Sequence, residues 1–207
     1  MPTGLNAIID ISHHNSNVDF VKLKEAGIVG VIHKATQGST GSDPTYKTHR
    51  DAARAAGLLW GAYHFGTDSD GVVQAINFLN VIGDVSDTLI ALDFESNPTG
   101  SSMSLEEARA FVTQIQTATG RFPGFYSGHD IKEALGSGMD SVLGSCWFWL
   151  AQYGPTAVVP QNWKTWKLWQ YTDGALGPEP TEIPGVGRFD RDLFNGSEEE
   201  LRAFWGT

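Results

Sequence analysis

Two acids stand two residues apart in LIALDFESN, residues 89–97: Asp93 and Glu95, with Phe94 between them. On a strand successive side chains alternate faces, so this spacing aims both carboxyls the same way, with Cα atoms roughly 6–7 Å apart. Further acids lie in other strand-like runs, Asp10 in IIDIS and Asp190 and Asp192 in RFDRD. A group of carboxyls with no cysteine beside it suits glycoside cleavage. One protonated carboxyl gives its proton to the leaving oxygen, and a second, anionic one attacks or stabilises the cationic centre at the sugar. Crowding raises the pKa of one acid, so it keeps its proton near neutral pH while its neighbours stay ionised.

The aromatic residues point the same way. Seven Trp and five Tyr are many for 207 residues, and several stand near strand ends: Tyr63, Tyr126, Trp147, Trp149, Trp169 and Tyr171. Sugar C–H faces pack on such rings, and tyrosine hydroxyls, Gln170 and His64 can bond sugar hydroxyls. Taken one at a time, each ring is more often a core residue. Asp10 alone reads equally as a turn cap, and Asp192, beside Arg191, reads most simply as a surface ion pair or turn contact. Glu95 is harder to explain structurally, because a charge at the end of a buried strand is costly without a role. His13 and His14 are adjacent and face opposite ways on a strand, which argues against a shared metal ion, and His33 reads as a core histidine. No metal and no cofactor is expected.

The elements that must hold these residues alternate between strand and helix patterns, the signature of parallel strands joined by crossover helices. Strands are expected over 6–12, 29–36, 57–65, 88–95 and 122–128, with helices near 19–27, 46–57 and 71–83. Another helix follows the capping box Ser104/Glu107, and a short one follows in DIKEALGSG. From 146 onward the helices drop out, and 146–153, 165–172 and 187–194 read as three strands before a last helix opened by Ser197 and Glu200. The acidic run 198–200 then sits favourably in that helix's first turn.

Eight strands and about six helices suggest a β/α barrel that has lost helices from its second half, since a full barrel takes ~250 residues. The C-terminal rim of such a barrel would collect Asp10, Asp93, Glu95 and Asp190. An open doubly wound sheet is the alternative, but no G-x-G-x-x-G follows the first strand and there is no P-loop.

A length of 207 residues suits one domain, 1–207. The net charge of −10 argues against a nucleic-acid surface. Cys146 is the only cysteine and lies in an apolar run, so no internal disulfide is available and a core role is expected. There is neither a signal-peptide pattern nor an apolar run long enough to span a bilayer.

The ordered set IIDIS, K-A-T-x-G at 34–38, GAYHF at 61–65, LDFE, FYSG at 125–128, WLAQY at 149–153, WQYT at 169–172 and F-D-R-D at 189–192 resembles the family 25 glycoside hydrolases, the lysozymes (N-acetylmuramidases) of fungal and bacteriophage type. The resemblance implies a modified TIM-like β/α barrel with a reduced number of helices. It also implies hydrolysis, with retention, of the β-1,4 bond between N-acetylmuramic acid and N-acetylglucosamine in bacterial peptidoglycan. Carried over by position, Glu95 is the general acid, Asp93 assists it, either as the nucleophile or by steering the substrate's own acetamide into attack, and Asp10 and Asp190 complete the acidic rim. Tyr63, His64, Tyr126, Trp149, Gln170, Tyr171, Lys34 and Gln37 are the expected substrate contacts. Many family members have glutamate where this chain has Gln37. The implied protein is a monomer acting on the bacterial cell wall, secreted or released as a phage endolysin.

Two other readings stay open. A chitinase-like hydrolase has acids at three alternating positions of this strand, D-x-D-x-E, but the first is Ala91 here. A non-catalytic carbohydrate-binding module would ordinarily have lost the acid pair, which is present.

Overall fold

The computed structural model describes residues 3–205; the outermost positions of the expected 1–207 domain, 1–2 and 206–207, lie outside the described residues. In chain order the first half contains β1 (Leu5–Ile11), α1 (Phe20–Glu25), β2 (Gly30–Gln37), β3 (Gly41–Ser42), α2 (Tyr46–Ala55), β4 (Leu59–Phe65), α3 (Gly71–Ile82) and β5 (Thr88–Asp93). The second half contains α4 (Leu105–Thr119), β6 (Gly124–Ser127), α5 (His129–Leu135), β7 (Trp147–Ala151), β8 (Leu168–Thr172), β9 (Glu182–Ile183), β10 (Gly187–Arg188), β11 (Asp190–Phe194) and α6 (Glu198–Trp205).

Eight of these strands close a barrel in the order β1-β2-β4-β5-β6-β7-β8-β11 and back to β1. Pairing of β1 with both β2 and β11 excludes the open sheet. Seven strands run parallel, and β11 is antiparallel to both its neighbours. That reversal was not expected from the sequence. The run 187–194 splits in two: Gly187–Arg188 turns back on Glu182–Ile183 as a small ribbon, and only Asp190–Phe194 joins the barrel. No helix among the described residues is long and apolar enough to cross a membrane.

Strand alternation divides the apolar side chains into two layers. Ile9, Val31, Trp60, Ile90, Phe125, Phe148 and Trp169 face outward and pack with helix residues such as Phe78, Phe111 and Val112. Ile8, Ile32, Leu89, Ala91, Tyr126, Trp149 and Leu168 share the inner layer with Leu201 and Trp205 of α6. The last helix therefore plugs the barrel at the end where the parallel strands begin. Trp205 donates its indole N–H to the carbonyl of Trp60 at 2.8 Å, and a Cβ on Gly30 would meet the Trp205 ring at 2.7 Å.

Both expected capping boxes form. Ser104 and Glu107 exchange side chain and backbone bonds at the start of α4, as do Ser197 and Glu200 before α6. Cys146 and His33 are buried in the core, as read from the sequence.

Candidate active site

At the open end of the barrel the plug is absent, and the lumen widens into a cavity of about 150 Å³. Asp10, Asp93, Glu95 and Asp190 all line it, with Tyr63, Tyr126, Trp149, Tyr153 and Gln170 as walls. Asp10 and Asp93 stand at the ends of parallel strands. Asp190 reaches the same rim because β11 is reversed, which brings the strand's first residue there, in register with Asp10. Glu95 lies just past the end of β5 rather than on it. Its shared direction with Asp93 survives, while Phe94 turns outward and packs against Phe125 with ring centroids 5.5 Å apart.

The acids differ in exposure. Asp93 is 5% exposed and its Oδ1 accepts no hydrogen bond in the chain, whereas Glu95 is half-buried at the mouth. Burial pushes both carboxyls upward. The charge of Glu95 raises Asp93 further, that of Asp130 raises Glu95 further, and Lys34 opposes the rise in each. Asp190 is lifted to about 7 by burial, then by Asp173 and Glu95. Crowded carboxyls disfavour one another's ionised forms, so every acid of the cavity is shifted toward retaining its proton.

A buried polar chain underlies the acids. Tyr126 and Tyr153 donate to Gln170 Oε1 at 2.8 and 3.1 Å. Gln170 Nε2 donates to Asp10 Oδ2 at 2.8 Å. Trp149 packs edge-on against Tyr126, centroids 4.8 Å apart, and donates its indole N–H to Asp192 Oδ1 at 2.6 Å. Burial and the surrounding carboxylates raise the phenols of Tyr63 and Tyr126, which remain neutral donors.

Three sequence readings need correction. His64 does not reach the cavity. It is fully buried on the opposite face of β4 from Tyr63, bonded to Thr36 and Gln74 and stacked on Phe111. Tyr171 likewise faces outward, because its neighbour Gln170 faces inward; its hydroxyl accepts from Asn6 and donates to Pro180 O. Adjacent strand residues cannot both line one lumen. Asp192 is not a surface ion-pair residue but a fully buried lumen residue.

Lys34 and Gln37 are joined by a 2.6 Å bond from the lysine amino group to Gln37 Oε1. They line a neighbouring cleft of about 490 Å³ with His13, Asp43 and Thr67, not the acid cavity itself. His13 is engaged with Asp43 at 2.8 Å, and no group of three or more potential metal ligands occurs among the described residues. Tyr153 was missed. Over the expected strand 146–153 it has the parity of Trp149, a signal that pointed to the lumen although β7 itself ends at Ala151, and 43% exposure leaves its ring at the mouth.

Carboxyls of graded exposure, a nearby cation and aromatic walls make a site able to protonate a glycosidic oxygen and stabilise the cation that forms. The chain is 31% identical to lysozyme M1 of Streptomyces globisporus, over 94% of this chain and 69% of that protein. A solved lysozyme from Streptomyces coelicolor superposes with a TM-score of 0.85 at 31% identity, covering 99% of this chain and 98% of the other. A muramidase from Trichobolus zukalii superposes with a TM-score of 0.83 at 31% identity, covering 98% and 99%. Residues 9–179 match the description of glycosyl hydrolases family 25, so the acid-lined barrel belongs to a glycoside hydrolase, and the chain is a member of that family.

Proposed function

We propose that the protein is a muramidase that cleaves the β-1,4 bond between N-acetylmuramic acid and N-acetylglucosamine in bacterial peptidoglycan, as a single catalytic domain acting as a monomer on the cell wall. The observation that carries this reading is the Asp93–Glu95 pair at the mouth of an aromatic-walled cavity. The lysozyme and muramidase names of its relatives supply the substrate class.

Glu95 is the general acid, because it is the carboxyl of the pair that a polymer chain can reach. Burial and the charge of Asp130 raise its pKa, the direction a proton donor to the leaving oxygen needs. Asp93, deeper and next to Lys34, steers the 2-acetamido group of the substrate into attack on its own anomeric carbon, with retention. The acetamide that the substrate carries beside its reacting carbon favours this over direct attack by the carboxylate. Water then opens the cyclic intermediate, with Glu95 returned to its base form and taking the proton. Asp10 and Asp190 supply negative potential to the developing cation, and Tyr63, Tyr126, Trp149 and Gln170 line the sugar site.

Purified peptidoglycan tests the reading. Wild type is expected to release fragments with N-acetylmuramic acid at the reducing end, first as the β-anomer, while Glu95→Gln loses about 10²–10⁴-fold in rate. Inactive wild type, or a fully active Glu95→Gln, overturns it. Faster cleavage of chitin than of peptidoglycan reassigns the substrate.

A further inference from the structure

Below the cavity lies a carboxyl that the proposed reaction does not use. Asp192 is fully buried, and on the lumen side of β11 it pairs in register with Ile8 of β1 while Asp190 pairs with Asp10. Its Oδ1 accepts from Trp149. Its Oδ2 is buried and receives no N–H or O–H from any neighbour. Asp10, the next carboxyl up, stands within hydrogen-bonding reach of the Asp192 carboxyl.

Two carboxyl groups in contact away from water need either a cation or a proton between them. A cation is not available from the elements packed here. Arg191 faces the other side of the sheet and donates to Pro180 O, Glu182 O and Asn6 Oδ1. Lys34 acts on Asp93 and Glu95. What faces Asp192 is Asp10 from β1, Trp149 from β7, the uncharged Gln170 from β8 and Asp190 on its own strand.

We propose that Asp192 is a positioning residue that holds one proton in common with Asp10, so that the Asp10 carboxyl is oriented by the Gln170 amide and by the hydrogen bond it shares with Asp192. One negative charge, not two, then sits beneath the reacting sugar, and its direction is fixed by a bond on each side. The catalytic consequence rests on the role given to Asp10 above; the shared proton does not. Burial raises both acids, Asp192 to about 8, while their mutual hydrogen bond raises Asp10 and lowers Asp192, as one proton held between them requires.

A carboxyl whose folded pKa is raised stabilises the fold fully below the unfolded value, near 4, and loses that contribution as pH climbs through the folded value. Asp192→Asn keeps an acceptor for Trp149 and a permanent donor for Asp10, and it cannot ionise. Its Tm relative to wild type is therefore expected to rise as pH increases from about 4 to about 8 and to level off beyond. Infrared difference spectra at pH 6 should show a protonated-carboxyl band in wild type that the variant lacks. Neither readout needs an active enzyme, so both survive failure of the muramidase reading.

On peptidoglycan, Asp192→Ala is expected to lower kcat about ten- to a hundredfold with little change in KM, through loosening of Asp10. Asp192→Asn should restore most of that loss. A Tm difference that is flat with pH, no missing carboxyl band, or an Asp192→Asn as impaired as Asp192→Ala overturns the proposal. Should Asp192→Ala fail to fold, the infrared and Tm measurements on Asp192→Asn decide it alone.

Discussion

Glu95 sits where a half-buried acid can keep a proton and still meet a polymer, and after burial the largest push on its pKa comes from Asp130. Asp130 stands at the start of α5 and accepts from the backbone and hydroxyl of Ser96, one residue past Glu95. Asp130→Asn keeps an acceptor for Ser96 and removes the charge. The pKa of Glu95 should then fall, and the alkaline limb of kcat/KM, which tracks loss of the acid's proton, should move to lower pH, more so at low salt. An alkaline limb that stays in place would show that Asp130 does not tune the acid. At this scale the sequence was informative wherever alternation applied. Asp10, Asp93, Tyr63, Tyr126, Trp149 and Gln170 have the parity that faces the lumen. His64 beside Tyr63 and Tyr171 beside Gln170 have the opposite parity and face away from the lumen. Tyr153 shares the parity of Trp149 over the expected strand 146–153, so the same rule applied to it as well.

Elements were legible in order and type, because apolar periodicity, capping boxes and glycine stops are local signals. The strand count and order also pointed to a barrel of parallel strands, but the direction of the last strand was not legible, because it is set by pairing between residues far apart in the chain. The reversed β11 shows what this hides: Asp190 reaches the rim from the N-terminal end of its strand, whereas the parallel strands contribute residues at or near their C-terminal ends. The role of α6 was hidden for the same reason, since EEELRAFW reads as an ordinary amphipathic helix. Its Trp205 fills the bottom of the lumen against Gly30. Trp205→Ala is expected to cost about 3–5 kcal/mol by denaturant unfolding. Gly30→Ala should cost about 1–3 kcal/mol by forcing a methyl group into the ring. In the double variant the Gly30→Ala cost should largely vanish, because the atom it strikes is gone. Additive costs would mean that Gly30 is required for some reason other than the indole.

Across the whole molecule, 24 acidic residues against 14 Lys and Arg leave a net charge of −10. The cavity adds to that field locally, with four carboxyls on its wall and Lys34 held to one side. A bacterial wall is itself anionic, so an enzyme of this charge approaches its substrate against repulsion that extends about 10 Å at 0.1 M salt and three times as far at 0.01 M. Repulsion of this range slows encounter while leaving the chemistry of a bound chain unaltered. Hydrolysis of intact walls should therefore rise as salt increases from about 0.01 to about 0.1 M. The gain should appear in kcat/KM and leave kcat unchanged. Walls stripped of their anionic polymers should show a smaller gain. A salt profile equally flat on both substrates would mean that the charged surface lies away from the approach path, leaving only the cavity's own acids to face the incoming glycan.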